Sequence, residues 1–167
     1  MAPLPIRRFP DPLLKQPTRP VERVDGTVQR FIDSLVWTMR RHPRCVGLAA
    51  PQVGSDLRIA VMDSSAHPKA LKSHGLIVLV NPHIERSEGA ELQREGCLSI
   101  PDLTANVRRA ARVRIRTFDQ FGSACEWELE GFEAIIAQHE IDHLDGKLFL
   151  DRVVNVKTDV FRRRTYL

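Results

Sequence analysis

The sequence predicts an α+β fold in which antiparallel β-strands pack around a central buried helix. Two segments, 112–118 and 125–130, alternate apolar and polar residues as half-buried antiparallel strands do. The segment 131–146 is bracketed by glycines and carries apolar residues all round a helical axis, which indicates a helix buried among other elements. The composition, with 43% hydrophobic and 28% charged residues, is that of an ordinary globular protein.

The earlier part of the chain predicts one further helix and two further strands. Between residues 25 and 41, apolar residues recur at the spacing of an amphipathic helix, and Pro43 stops it. The segments 57–63 and 75–82 are apolar runs of strand length. The first twenty residues are rich in proline, so we expect an extended arm that lies over the domain.

Length and composition limit the classes of protein that are possible. A chain of 167 residues without repeats or an internal linker is expected to form a single domain, 1–167. No apolar run reaches the roughly 18–20 residues of a membrane span, and the N-terminus lacks the apolar stretch of a secretory signal. The three scattered cysteines do not suggest a disulfide framework. We therefore expect a cytoplasmic protein with no membrane partner.

The sequence Q-H-E-I-D-H (138–143) carries the strongest chemical signal. On a helix, His139 and His143 lie on one face, one turn apart, as two ligands of one metal ion require. Such an ion lowers the pKa of a bound water towards about 7. Glu140 is placed to take the proton of that water and to return it to a leaving amine. A single histidine on an apolar helix face is usually a hydrogen-bonded core residue. Two histidines at positions i and i+4, with Glu140 between them, instead favour a metal site.

The third ligand remains open when only the residues are considered. A catalytic site of this type has three protein ligands and one open position. Neither Glu nor His follows His143, and Phe149 stands where some metalloproteases have a third histidine. The ligand must therefore come from upstream. Cys97, in the tight turn E-G-C-L-S-I-P (95–101), competes with Cys45 and Cys125.

Three segments together resemble peptide deformylase: C-V-G-L-A-A-P-Q (45–52), E-G-C-L-S-I-P (95–101) and Q-H-E-I-D-H (138–143). The resemblance extends from about Ile6 to Val153. It departs from the family where Cys45 replaces a glycine. It implies a metal-dependent amidase that removes the formyl group from the N-terminal formylmethionine of new polypeptides and releases formate.

The resemblance also implies roles for individual residues. Cys97, His139 and His143 hold one divalent metal ion per chain, with Fe²⁺ expected in the cell and Zn²⁺, Ni²⁺ or Co²⁺ in purified protein. Glu140 is the general base and acid. The remaining expected roles are oxyanion donors, supplied by Gln52 and the backbone N–H of Leu98, and a supporting ion pair, formed by Glu95 and Arg109.

The substrate methionine is expected to lie in an apolar slot beside the metal. Ile136 and Phe132 precede His139 by one and two helical turns, so they share its face. Val46 is expected to close the slot from across the cleft. Gly47 fits strand-like backbone pairing with the peptide.

Two alternative functions would each require a further metal ligand. An internal peptidase would need a third ligand after His143, and a structural zinc site would need a fourth Cys or His.

The arginines between 108 and 116 lack interleaved aromatic residues, which favours a solvated strand face and no DNA partner. We expect a monomer that acts on N-formylmethionyl nascent peptides. Because only sixteen residues follow Asp151, we expect at most a weak ribosome contact through the arginines at 162–164.

Overall fold

The structure, a computed structural model, describes residues 3–164 and contains two antiparallel sheets. Residues 1–2 and 165–167 of the expected domain 1–167 lie outside the described residues. The larger sheet has the order β1-β2-β3-β6-β7 and consists of Gly47–Ala49, Ile59–Asp63, Leu76–Glu88, Arg112–Phe118 and Ala124–Glu130. The smaller sheet has the order β4-β5-β8 and consists of Glu91–Cys97, Ile100–Arg109 and Val160–Arg162.

The helices are few, as the sequence predicts. The α-helices are α1 (Gly26–Arg41), α2 (Gly131–Leu144) and the single turn α3 (Val156–Asp159). Short 3-10 helices lie at Pro12–Lys15, Ala50–Val53 and Phe149–Arg152. No helix within residues 3–164 has the length and apolar character that crossing a bilayer requires.

The larger sheet lies between α1 and α2, and strand β2 shows how this arises. Successive side chains of a strand point to opposite faces. Ile59 and Val61 therefore join the core with α1, whereas Ala60 and Met62 join the core with α2. All four side chains are fully buried. Burial on both faces explains why this segment reads as a continuous apolar run.

Helix α2 is the central buried helix that the sequence predicts. Its apolar residues are buried on every side, including Ala134, Ile135, Ala137, Ile141 and Leu144. It packs on β1, β2, β6 and β7 of the larger sheet. This placement brings both histidines of the motif into the interior, beside the end of β4.

The N-terminal arm lies over the domain, as expected from its prolines. The backbone N–H of Arg7 donates to the carbonyl of Gln52 (2.7 Å) and that of Phe9 to the carbonyl of Ser99 (2.9 Å). Further along, the N–H of Thr18 donates to the carbonyl of Leu144 (2.9 Å). The arm is thus hydrogen-bonded to the segments 45–52 and 95–101 and to Leu144, the residue that follows the segment 138–143.

The predicted elements need small corrections at their ends. The strand predicted at 75–82 continues to Glu88, the strand predicted at 57–63 begins at Ile59, and the helix predicted at 131–146 ends at Leu144. The smaller sheet was predicted only as a tight turn at 95–101. Its strands expose mainly polar side chains and bury a small local core around Leu14 and Phe149, which makes their apolar pattern weak.

Candidate active site

Three side chains that can bind a metal meet where β4 ends beside α2. The ligand atoms of Cys97, His139 and His143 all lie within 4.8 Å of one another. Cys97 Sγ is 3.3 Å from His143 Nε2. Among residues 3–164, this is the one group of at least three Cys, His, Asp or Glu side chains with such spacing.

The local backbone explains why Cys97 reaches the helix. Strand β4 ends at Cys97, two turn residues follow, and β5 begins at Ile100. The pairing register shifts between Gly96 and Cys97, as at a β-bulge, which changes the direction of the strand at this point. The expectation of a tight turn here is confirmed. Leu98, an expected oxyanion donor, is the first residue of the turn and lines the adjoining cleft.

The donor set fits a divalent transition metal. Burial by itself would raise the pKa of Cys97, but the imidazoles of His143 and His139 hold it well below its usual value. The thiolate, which is the form that binds metals, is therefore favoured. One thiolate and two imidazoles suit Fe²⁺, Zn²⁺, Co²⁺ and Ni²⁺. The family's single metal ion therefore has a suitable candidate site in this chain.

The other two cysteines lie outside this group. Cys45 Sγ is 3.1 Å from the carbonyl oxygen of Gly47, and burial raises the pKa of the thiol to about 12. Cys125 is half-buried in β7. Cys45, where the resemblance implies a family glycine, does not have a left-handed backbone, and the positive φ (62°) lies at Arg44. Phe149 is fully buried and stacks on the ring of His139, with 6.2 Å between centroids.

Glu140 faces the first motif from α2. Its side chain is buried, and burial raises its pKa to about 7, close to the value that suits a general base at neutral pH. Within the described residues, its Oε2 atom has no hydrogen-bond partner. A Cβ atom on Gly47 would lie 2.8 Å from Cδ of Glu140, closer than real Cβ contacts. Glycine is therefore required at 47 to make room for this carboxylate.

Gln52 is held with its amide nitrogen towards the ligand group. Its Nε2 donates to Cys97 Sγ (3.3 Å) and to Ser99 Oγ (3.2 Å). Its Oε1 accepts a hydrogen bond from the backbone N–H of Ala49 (2.9 Å). These bonds fix the side chain as a donor beside the candidate metal site.

A buried network of charges supports His139. Its Nδ1 atom is 2.8 Å from Glu95 Oε2, so the other ring nitrogen is left for a metal. Arg109 donates twice to Glu95, at 2.7 and 3.0 Å. Burial would raise the pKa of Glu95, but His139 and Arg109 lower it to about 2. The resemblance implied this Glu95–Arg109 pair, and the two side chains do form it.

The sequence did not predict that this network continues through Asp142. Arg109 Nη1 donates to Asp142 Oδ2 (2.5 Å), and Arg152 Nη2 donates to Asp142 Oδ1 (2.6 Å). A carboxylate on a buried helix needs a cationic partner. The occurrence of Asp142 within an apolar helical segment was therefore the sequence signal for a buried ion pair. The identity of that partner depends on the tertiary fold.

A cleft of about 1200 Å³ opens beside the ligand group. The side chains of Val46, Phe132 and Ile136 line it, together with Gly47. Two further lining residues, His67 and Ile135, were not predicted. The ring of His67 lies 4.7 Å from that of Phe132, between centroids. The structure thus brings the residues expected to bind substrate to one cleft.

Comparison with known proteins identifies the family. Residues 3–159 match the family described as polypeptide deformylase. The peptide deformylase of Thermodesulfovibrio yellowstonii is 41% identical over 98% of this chain and 97% of its own length. That of Alkalilimnicola ehrlichii is 43% identical over 98% of this chain and 89% of its own length.

Solved structures agree with this match. The crystal structure of a peptide deformylase from Legionella pneumophila is similar with a TM-score of 0.85 and 41% identity, over 93% of this chain and 89% of that chain. A class I type b peptide deformylase from Acinetobacter baumannii, with Met-Ala-Ser bound, has a TM-score of 0.85 and 33% identity, over 91% of this chain and 99% of that chain. The chain therefore belongs to the polypeptide deformylase family.

Proposed function

We propose that this chain hydrolyses the formyl amide at the N-terminal formylmethionine of newly made polypeptides, releasing formate and a free amine. The observation that carries this proposal is the group of Cys97, His139 and His143 beside the buried Glu140, in a member of this family. The enzyme is an amidase that acts on linear amides.

Cys97, His139 and His143 would hold the metal ion, which supplies Lewis acidity and lowers the pKa of a bound water. Glu140 takes the proton of the attacking water and returns it to the leaving nitrogen. We propose Fe²⁺ as the ion in the cell and Zn²⁺, Ni²⁺ or Co²⁺ as alternatives in purified protein. All four suit this donor set.

The oxyanion formed by attack on the formyl carbon needs donors that are already in place. Gln52 Nε2 is fixed by three hydrogen bonds of its amide group. The backbone N–H of Leu98, in the turn after Cys97, is the second proposed donor. Loss of one such donor typically raises the barrier by roughly 2.7–4 kcal/mol. Glu95 and Arg109 act through His139 by fixing its ring orientation.

The methionine side chain is proposed to lie between Val46, Phe132 and Ile136. We propose that Gly47, on the short edge strand β1, pairs with the peptide backbone. The Acinetobacter baumannii relative was solved with Met-Ala-Ser bound, and this peptide supports methionine as the first substrate residue. We further propose a single catalytic domain over 1–167 that acts as a cytoplasmic monomer, with at most a weak ribosome contact.

The decisive assay uses formyl-Met-Ala-Ser and unformylated Met-Ala-Ser. We expect stoichiometric formate and intact Met-Ala-Ser from the first peptide, and no cleavage of the second. Mass spectrometry separates these products from those of an internal peptidase. Cleavage between residues of either peptide, or no formate release by metal-loaded protein, would contradict the proposal.

A further inference from the structure

The C-terminal strand β8 forms part of the wall of the active-site cleft. Val160 and Arg162 pair with Ala105 and Leu103 of β5, and the N–H of Arg163 donates to the carbonyl of Asp102 (2.8 Å). Residues 160–164 all line the cleft. The end of the described chain is therefore anchored in the wall of the cleft.

Arg163 lies against the strand that carries the metal ligand. A Cβ atom on Gly96 would overlap its guanidinium, with Cζ 3.2 Å away. Gly96 directly precedes Cys97, so the positive charge of Arg163 lies in the cleft next to the residue that precedes the candidate metal ligand. Nearby, the guanidinium of Arg94 stacks on the ring of Phe161, 3.5 Å from its centroid. This contact holds β4 and β8 together on the cleft side.

The exposed charges of the cleft have one sign. The only lining carboxylates in the described chain are Glu95 and Glu140, and both are buried. The exposed charged side chains that line the cleft are all basic: Arg44, Lys69, Arg94, Arg162, Arg163 and Arg164. Within residues 3–164, no carboxylate forms an ion pair with Arg162, Arg163 or Arg164.

We propose that Arg163, assisted by Arg162 and Arg164, selects substrates that carry an acidic side chain at position 2 or 3 of the peptide, where the formylmethionine is position 1. This inference rests on the proposed function. An extended peptide advances about 3.3 Å per residue. Because Arg163 lies against Gly96, the residue before Cys97, the residues that follow a methionine bound at the candidate metal site would come within reach of the guanidinium groups. A cleft with basic walls attracts carboxylates and repels ammonium groups.

The test compares matched peptides with amidated C-termini, formyl-Met-X-Ala-Ser and formyl-Met-Ala-X-Ser, in which X is Glu, Gln or Lys. For at least one position, we expect kcat/KM for Glu to exceed that for Lys by about 5–20-fold at low ionic strength, the size typical of a few exposed charge pairs. The ratio should fall towards one in about 1 M salt, where the Debye length is about 3 Å.

Two charge-reversal variants locate the effect. Arg163→Glu should abolish or reverse the preference for Glu. Arg23→Glu makes the same charge change at an exposed residue outside the cleft and should preserve the preference. Equal kcat/KM for Glu and Lys in the unmodified enzyme would overturn the inference, as would a preference that Arg163→Glu leaves unchanged.

Failure of the proposed function can be told apart from failure of the proposed charge preference. If no formylated peptide is hydrolysed, the proposed function fails, whereas hydrolysis without charge preference overturns only this inference. Weaker retention of Arg163→Glu on ribosomes, with an unchanged peptide preference, would assign the arginines to RNA and also overturn it.

Discussion

Glu140 is a carboxylate in a place where burial opposes its charge. Its pKa is raised to about 7, so at neutral pH the side chain exchanges a proton easily. We expect Glu140→Ala to keep its metal, because Cys97, His139 and His143 remain, and to lower kcat by roughly 10²–10⁴-fold. Metal analysis and formate release on the same preparation provide the measurement. Full metal content with near-normal turnover would place the base elsewhere.

At the residue scale, the sequence predicted the motif residues because their chemistry is local. The i, i+4 spacing of the histidines needs only a helix to bring them together. Cys97 was the best candidate from its position in a tight turn, but the choice required the family resemblance, since spacing excluded neither Cys45 nor Cys125. The partner of Asp142 could not be assigned, because its buried pair with Arg109 joins residues that are 33 positions apart along the chain.

The close approach of β1 to α2 gives a prediction at the element scale. A methyl group at Gly47 would overlap the buried side chain of Glu140. We expect Gly47→Ala to retain its metal but to lower kcat by about 10²-fold, the size of effect that an approximately 1 Å misplacement produces. The control is Gly26→Ala, whose added Cβ has ordinary space at 3.4 Å from Arg30 Nη1. Equal kcat for Gly47→Ala and Gly26→Ala would contradict the prediction, since it would show that displacing Glu140 does not affect catalysis.

Helix α2 also lines the cleft in which the first substrate residue is proposed to lie. Ile136 is 96% buried in the core, yet it lines the cleft. Burying a methionine side chain is worth roughly 1.5–3 kcal/mol. Formyl-Met peptides should therefore exceed formyl-Gly peptides by about 10–150-fold in kcat/KM. Ile136→Trp should fill the slot and remove this preference with metal retained. A preference that survives the substitution would make Ile136 a core residue only.

The elements differ in how well a pattern reveals them. Helical periodicity predicted α1, an apolar segment bracketed by glycines predicted α2, and alternation predicted β6 and β7 almost to the residue. Strands β4 and β5 were not predicted because they belong to a small sheet whose core is completed by Leu14 and Phe149 from distant segments. Strand β8 has three residues, too few for any period to be visible.

At the scale of the whole molecule, the candidate metal site joins the two sheets. Cys97 belongs to the smaller sheet, whereas His139 and His143 lie on the helix packed against the larger one. Ligands that bind only the folded state stabilise it, by about 2.7 kcal/mol at a free concentration of 100 Kd. We therefore expect chelation to lower Tm by about 5–10 °C, given roughly 2–4 °C per kcal/mol for a chain of this size.

Cysteine variants provide the controls for this measurement. The Tm of Cys97→Ala should no longer respond to chelation, because one of three ligands is missing. Cys45→Ala and Cys125→Ala should keep both their metal and the response. If Cys45→Ala is the variant that loses metal, the assignment of the third ligand is wrong.

The N-terminal arm is synthesised long before the residues that hold it in place. It leaves the ribosome before Gln52, Ser99 and Leu144, the residues to which it bonds, and Leu144 follows Thr18 by 126 residues. At about 5–20 residues per second, the wait for Leu144 lasts roughly 6–25 s. Until then the arm lacks its last partner, and closing such a distant contact is slow. The arm should therefore be most vulnerable to proteases while the rest of the chain is still being translated.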